Sequence, residues 1–385
     1  MCTPFSPTDV RIAVFSSTVD PKDGYGNITF ELTRELHAQG VNITLFLPKN
    51  QKDTAEKMGL PFTTECILPN YVYRMYERNG LRYFRTVDVA SFDLVHDLFS
   101  FPYSIPAARS AKKYKKPLVM GAQGTHGVRP LTFWPERWLL KQCYAQAKAI
   151  AVPSTYTKKR ILEEAKTNYA IDIIHNGVRF DRFQKHVDAG SIRNRYAGKK
   201  LLLTVGGLWG RKGHDLVLKA LPEVLRKHPN VMYVIVGDGN ARENLQSLTR
   251  DLGVDHAVDF AGRKSGDDLV AYFQACDIYV HTPKVLDRNK FEGFGIVYLE
   301  ASACGKPIVA TDAGGIRDAV VENETGLIVP DGDVPGITRS VLRLLDDEAL
   351  AKKLGERGRS YAKENDWNVI AKKFIELYKK AIPSP

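Results

Sequence analysis

Short apolar runs recur along this chain, and most are followed by a stretch in which apolar residues return every three or four positions. The runs at 11–16, 41–47, 92–96, 117–121 and 149–152 read as strands buried on both faces, and 28–38 reads as a helix that carries Phe30, Leu32, Leu36 and Ala38 and stops before Gly40. The series then starts afresh. Runs at 201–205, 231–236, 258–261, 278–281, 307–310 and 326–329 alternate with amphipathic stretches such as 215–227 and 267–275. Strands alternating with helices predict an α/β protein with two parallel sheets, each covered on both faces. A polar, weakly patterned stretch within 181–200 reads as the linker. This puts one domain at 1–180, the linker at 181–198, a second domain at 199–362 and a last helical segment at 363–385. Ligands of such sheets bind outside the carboxyl ends of the strands, so a cleft between those two edges is the expected site.

Composition narrows the class. With 385 residues the chain exceeds what one core ordinarily organises, and about two domains are expected. The five cysteines, Cys2, Cys66, Cys143, Cys276 and Cys304, are scattered and include no Cys-x-x-Cys. That argues for a reducing compartment, against a disulfide framework and against structural zinc. No charged-then-apolar leader and no long apolar span is visible, so a cytoplasmic protein is expected.

The net charge of +11 is uneven: residues 1–180 hold 24 Lys/Arg against 16 Asp/Glu, the rest 31 against 28. Two segments concentrate the excess, one from Tyr71 to Arg85 with Arg74, Arg78, Arg82 and Arg85 among aromatics, the other Arg109-Ser-Ala-Lys-Lys-Tyr-Lys-Lys116. Such segments suit anionic lipid or a phosphorylated acceptor, and equally a solvated helix face. Neither zinc-finger spacing nor an RNA-binding aromatic signature accompanies them, so no nucleic-acid partner is expected.

Two segments carry candidate chemistry. In Glu292-Gly-Phe-Gly-Ile-Val-Tyr-Leu-Glu300, Glu292 precedes the entry to a buried helix, where unpaired N–H groups suit a phosphate or sugar hydroxyl. Glu300 sits inside that helix among Leu299, Ala301, Ala303 and Cys304 and needs a partner. The plainer alternative is that Glu292 complements the helix dipole and Glu300 meets a neighbouring cation. The second segment is Leu201-Leu-Leu-Thr-Val-Gly-Gly-Leu-Trp-Gly-Arg-Lys-Gly-His-Asp215, a strand and a glycine turn in which Arg211 and Lys212 could neutralise a diphosphate. It is no ATPase phosphate loop. A dinucleotide fingerprint is missing too, Asp23-Gly-Tyr-Gly-Asn27 coming nearest.

Taken in order, these residues resemble the retaining glycosyltransferases of family 4, across nearly the whole chain. The resemblance runs through Asp23-Gly-Tyr-Gly-Asn27, Phe92-Asp-Leu-Val-His96, Gly124-Thr-His-Gly127 and Ile174-His-Asn-Gly-Val178. It continues through Arg211-Lys-Gly213, Val236-Gly-Asp-Gly239, Phe260-Ala-Gly-Arg263, the paired-glutamate segment and Gly314-Gly-Ile-Arg317. Asp366-Trp367 with Ile370, Phe374 and Tyr378 is similar to the family's final helix, which crosses back onto the first domain. The implied fold is GT-B, two Rossmann-like domains facing a central cleft, acceptor side first and donor side second.

The resemblance implies roles as well. Arg211 and Lys212 would hold the donor diphosphate, helped by N–H groups at 294–296, and Glu292 would bind sugar hydroxyls. His126 would lie near the reacting sugar, giving His126, Arg211, Lys212 and Glu292 as the catalytic set. Donor contacts are expected from Gly24, Gly26, Gly207, Gly237, Arg263, Gly293, Phe294, Gly295 and Ile296, with Glu300 on the ribose. The acceptor side is assigned to His96, Arg74, Arg78 and Arg82. Transfer would retain configuration by front-face displacement, with no cofactor and no metal. Asp331-Gly-Asp333, the one Asp-x-Asp, lies in a turn. The segment at 284–301 resembles that of GDP-mannose enzymes, with UDP-hexoses close behind, and the acceptor is a glycan, glycolipid or small molecule. Peripheral contact with anionic membrane stays open. The alternatives are a non-catalytic nucleotide-sugar binding subunit and another GT-B enzyme such as a sugar-nucleotide epimerase.

Overall fold

The computed structural model describes residues 10–72, 74–75 and 80–382, and the chain divides into two compact units. The first takes in Met1–Asn176 together with Trp367–Pro385, the second Gly177–Asp366.

The first unit is built on a sheet of seven parallel strands: β1 Arg11–Phe15, β2 Asn42–Pro48, β3 Thr63–Leu68, β4 Leu94–Asp97, β5 Leu118–Gly121, β6 Ala149–Val152 and β7 Ile171–Ile173. Their order is β3-β2-β1-β4-β5-β6-β7, so the winding reverses between β1 and β4. β3 and β7 are strands that the apolar pattern does not reveal. β3 alternates exposed and half-buried positions as an edge strand, and β7 has three residues of which only Ile171 is buried. The helix expected at 28–38 begins earlier, at Gly24, so the glycine segment at 23–27 forms its first turn.

The helix Trp367–Ala381 belongs to this unit, and Ile370, Phe374 and Tyr378, spaced four apart, are buried along one stripe. Tyr378 Oη and His96 Nδ1 share a 2.8 Å hydrogen bond, and the Phe374 ring lies 5.4 Å from the imidazole. The sheet thus gains a cover from residues far along the chain.

In the second unit six parallel strands, β8 Lys200–Val205, β9 Val231–Val236, β10 Val258–Gly262, β11 Ile278–His281, β12 Ile308–Thr311 and β13 Gly326–Val329, lie in the order β10-β9-β8-β11-β12-β13. Apolar clusters fill both of its faces. Leu201, Leu203 and Tyr279 point to one, with Phe273 and Tyr298, while Leu202, Val280 and Val309 point to the other, with Leu221 and Ile337. Period-two alternation along β8 therefore feeds two cores, which explains why it reads as a continuous apolar run.

The linker expected at 181–198 is corrected: the stretch is helical at Phe180–Gln184 and Ala189–Arg195 and belongs to the second unit. Phe183 stacks edge-on against Phe273 at 5.7 Å, and the Arg193 guanidinium forks onto Asp277 at 2.9 and 3.1 Å. Its polar appearance arises because those partners lie some eighty or more positions away.

Candidate functional site

In the second unit the winding reverses between β8 and β11, and the candidate chemistry gathers at their carboxyl ends. After β8 the chain passes through Gly206 and Gly207 to a 3₁₀ turn, Gly210–Lys212. Gly213 then holds a left-handed φ of 70°, and any β-carbon there would fall on the Thr282 carbonyl, so only glycine lets the turn press against the end of β11. Thr282 Oγ1 donates 2.9 Å to the Gly213 carbonyl, and Lys284 N–H donates 2.7 Å to the Arg211 carbonyl. These ties fix Arg211 and Lys212 beside the loop that follows β11.

That loop carries Glu292. Its backbone is pinned by Gly315 N–H, which donates 2.8 Å to the Glu292 carbonyl, and one carboxylate oxygen, Oε2, receives both Lys212 Nζ at 2.6 Å and Arg211 Nη1 at 3.0 Å. Burial alone would raise this carboxyl; the two cations outweigh it and hold it at about 2. The helix Ile296–Ala303 starts immediately after Gly295, whose φ is 89° and whose missing side chain leaves room for the Tyr298 ring. Its first N–H groups and the Arg211–Lys212 pair are the candidate anion-binding groups of this unit.

Glu300, one turn further along the same helix, accepts no hydrogen bond from any described residue. Burial lifts it to about 7, with Arg182 pulling weakly the other way. The neighbouring cation that its position seemed to need does not bond to it. Arg263 is exposed in the turn after β10. Gly237 packs against the Gly206 carbonyl with no space for a β-carbon, and a side chain at Gly207 would collide with the Trp209 indole.

Sequence reasoning passed over three groups here. His281, the last residue of β11, and His214, the first of the helix His214–Lys227, are buried, and neither ring nitrogen of either bonds to a described residue. Burial, then Lys212, drive His281 far below the usual imidazole range and His214 to about 4, so both are neutral. Lys284 pairs with Asp215 at 2.8 and 3.0 Å. A histidine at a strand end has no local signature, and only the topology brings these together. Asp331 and Asp333 are engaged by main chain: Asp331 accepts from Val285 N–H, and Asp333 caps the helix Val334–Asp346 through Gly336 N–H, both at 2.9 Å.

In the first unit His126 lies on the short helix Thr125–Val128 after β5, its ring 4.6 Å from Tyr25 and 6.0 Å from Tyr71. Burial lowers its pKa against the opposing pull of the Phe101 main chain and Asp23. It lines a small pocket with Tyr71, Phe101, Arg129, Pro130 and Phe133. Gly24 faces open space, whereas Gly26 is required by its own loop, since a β-carbon would strike the Asp20 main chain.

The acceptor-side assignments fare differently from one another. His96 is wholly buried under the final helix, so its position is one of core packing, a correction to the reading of it as an acceptor residue. Arg74 Nε is tied at 2.8 Å to the buried Glu136, which also accepts from Met75 N–H at 2.9 Å, and its guanidinium lies over Phe133. Arg82 is exposed on the turn Gly80–Phe84, and Arg78 lies outside the described residues.

Two Rossmann-like units, each a parallel sheet covered by helices, define a GT-B protein. The fold is matched by the crystal structure of the Anabaena protein HepE in complex with UDP, with a TM-score of 0.79, 18% identity, and 96% of this chain and 100% of that one covered. The sequence model for Glycosyltransferase Family 4 matches residues 22–182, and that for Glycosyl transferases group 1 matches 191–361. The chain belongs to this glycosyltransferase family. It is similar to the GDP-mannose-dependent alpha-(1-6)-phosphatidylinositol monomannoside mannosyltransferase of Mycolicibacterium smegmatis, 34% identical over 246 residues, which are 63% of this chain and 64% of that protein. It is also similar to the D-inositol 3-phosphate glycosyltransferase of Corynebacterium jeikeium, 32% identical over 230 residues, 57% and 54% of the two chains. The chain thus spans less than two thirds of the length of these two relatives.

Proposed function

We propose that the protein transfers mannose from GDP-mannose, with retention, to a hydroxyl of a lipid-linked or polyol acceptor in the cytoplasm. The observation that carries this is the convergence of Arg211 and Lys212 on one oxygen of Glu292 at the mouth of a helix. In the free protein that oxygen stands where a diphosphate oxygen is expected. The mannose donor is supported by the names of the mannosyltransferases this chain is similar to. A UDP-hexose is the second reading, favoured by the HepE complex.

In the proposed reaction the acceptor oxygen bonds to the anomeric carbon as the bond from that carbon to the phosphate oxygen breaks, and the leaving phosphate takes the acceptor's proton. Arg211 and Lys212 stabilise the charge gathering on the diphosphate, aided by the first N–H groups of Ile296–Ala303. Glu292 turns to the sugar hydroxyls and Glu300 to the ribose. His126, kept neutral by burial, serves as a hydrogen-bond partner for a hydroxyl rather than as a charge. The two cations supply what a metal supplies elsewhere, and no metal role is assigned. Arg82 and the aromatic pocket beside His126 are the proposed acceptor side.

Thermal unfolding with GDP, UDP and ADP, on wild type and Lys212→Ala, tests the reading. The matching diphosphate at about a hundredfold over its dissociation constant adds roughly 2.7 kcal/mol, and the variant should lose this response. GDP-mannose should then be consumed in the presence of an inositol or inositol-lipid acceptor, with an axial product linkage by NMR. Stabilisation by none of the three nucleotides would sink the assignment of the donor site.

A further inference from the structure

We infer that Trp209 is a binding residue for a ring of the substrate: a stacking surface for the nucleobase or the sugar that a diphosphate carries to Arg211 and Lys212. This rests on the diphosphate reading proposed above and extends it from the charged part of the ligand to the flat part. Trp209 is the one indole of the second unit, since Trp134, Trp138 and Trp367 belong to the first. It is 50% exposed and stands two residues ahead of Arg211, in the turn that leaves the carboxyl end of β8 where the winding of the sheet reverses.

The turn gives the indole a rigid mount. Gly206 N–H donates 2.9 Å to the Val236 carbonyl and Leu208 N–H 3.1 Å to the Asp238 carbonyl, while the Leu208 carbonyl accepts from Ala241 N–H at 2.9 Å. Leu208 itself is wholly buried. Trp209 N–H donates 2.9 Å to the Gly207 carbonyl, and the Trp209 carbonyl accepts from Lys212 N–H at 2.8 Å. The backbone that carries the ring is therefore tied to the backbone that carries the cation. A ring held in this way loses little freedom when a ligand settles on it.

Glycine keeps the surroundings of the ring bare. A β-carbon on Gly207 would stand 2.4 Å from Trp209 Nε1 and 2.7 Å from Cδ1, so the pyrrole edge of the indole occupies the place of a side chain there. Neither Gly207 nor Gly210 has a positive φ, and backbone conformation demands glycine at neither. At 207 the indole demands it. At 210 a β-carbon would meet nothing within 4 Å, which leaves space beside the ring. Among the described residues no ring and no cation stacks on Trp209. A bare phosphate would use the two cations without the indole, and an apolar ligand the indole without the cations. A ligand that joins a flat ring to a diphosphate uses both.

Titration calorimetry of the full chain with pyrophosphate, GDP, UDP, GDP-mannose and UDP-glucose, on wild type, Trp209→Ala and Trp209→Phe, tests this. Pyrophosphate has no ring, and its affinity should be the same in all three proteins. Trp209→Ala should weaken a ringed ligand about tenfold, and Trp209→Phe should restore most of the loss. If the base is the ring, the nucleoside diphosphate and its sugar ester weaken alike; if the sugar is, the ester alone weakens. A ligand that binds should also change the indole emission of wild type, by an amount that Trp209→Phe lacks. Unchanged affinities in Trp209→Ala would overturn the proposal, as would an emission unmoved by a bound ligand. An equal loss for pyrophosphate would overturn it too, since the indole would then serve only to shape the turn. Binding of none of the five by wild type would instead strike the diphosphate reading, and the proposal with it.

Discussion

Glu292 neutralises the two cations that a diphosphate would need. In the proposed reaction a donor diphosphate would have to turn the Glu292 carboxylate away, and the carboxylate would compete with it until then. Glu292→Gln keeps the shape and removes the charge. Titration calorimetry should show the nucleoside diphosphate bound several-fold more tightly, about 1 kcal/mol, while transfer falls by at least two orders of magnitude. Unchanged or weaker diphosphate binding would show that the ion pair does not compete. Glu300 makes the opposite case, since its folded pKa is raised to about 7 against about 4.3 unfolded. Its contribution to stability is present below the unfolded value and is lost as pH rises through 7. Glu300→Gln should therefore gain about 3.5 kcal/mol over wild type by pH 8 and little at pH 4.5, measured by urea unfolding. If the charged form accepts ribose hydroxyls, wild-type nucleotide affinity should rise through pH 7 and the variant's stay flat.

At the level of elements, the turn from β8 into the His214–Lys227 helix positions Arg211 and Lys212, and the final helix completes the core of the first unit. Gly213→Ala adds a β-carbon against the Thr282 carbonyl at a left-handed φ; it should cost about 2 kcal/mol or more and abolish diphosphate binding by displacing Arg211 and Lys212. Full retention of both would mean that the turn can relax. Phe374→Ala should cost about 3 kcal/mol by removing a buried ring from the stripe over His96. Much of the element pattern was legible in the chain, because strands buried on both faces announce themselves as apolar runs. β3 and β7 were not, because an edge strand and a strand of three residues lack that signature. The site was half legible. Arg211, Lys212 and Glu292 could be named from glycine-rich context, but not their meeting across some eighty residues, which only adjacency of β8 and β11 creates. His96 misled because a histidine ending a strand looks alike whether the next layer is ligand or, as here, a helix from the far end of the sequence.

For the whole molecule, buried ionisable groups set a narrow pH range of greatest stability. His96, at about 3, His214, at about 4, and His281 are all lowered by burial, so their support is full above about 6.5, the unfolded value, and drains away as pH falls toward the folded ones. Glu300 and the wholly buried Asp97, whose carboxyl burial pushes well up, withdraw theirs as pH rises. Thermal unfolding should therefore be latest near neutrality and fall off on both sides. A flat profile from pH 5 to 9 would mean that these groups are hydrated in solution.

The ownership of Trp367–Ala381 by the first unit has a consequence for synthesis. A ribosome delivers that unit's seven strands long before it delivers the helix that caps β4 and β5, and the whole of Gly177–Asp366 emerges in between. The second unit can close as soon as it leaves the exit tunnel, while the first waits with His96 and its neighbours uncovered until the last turns arrive. The half of the protein made first is thus the half finished last, and it is the one that chaperones would have to shelter.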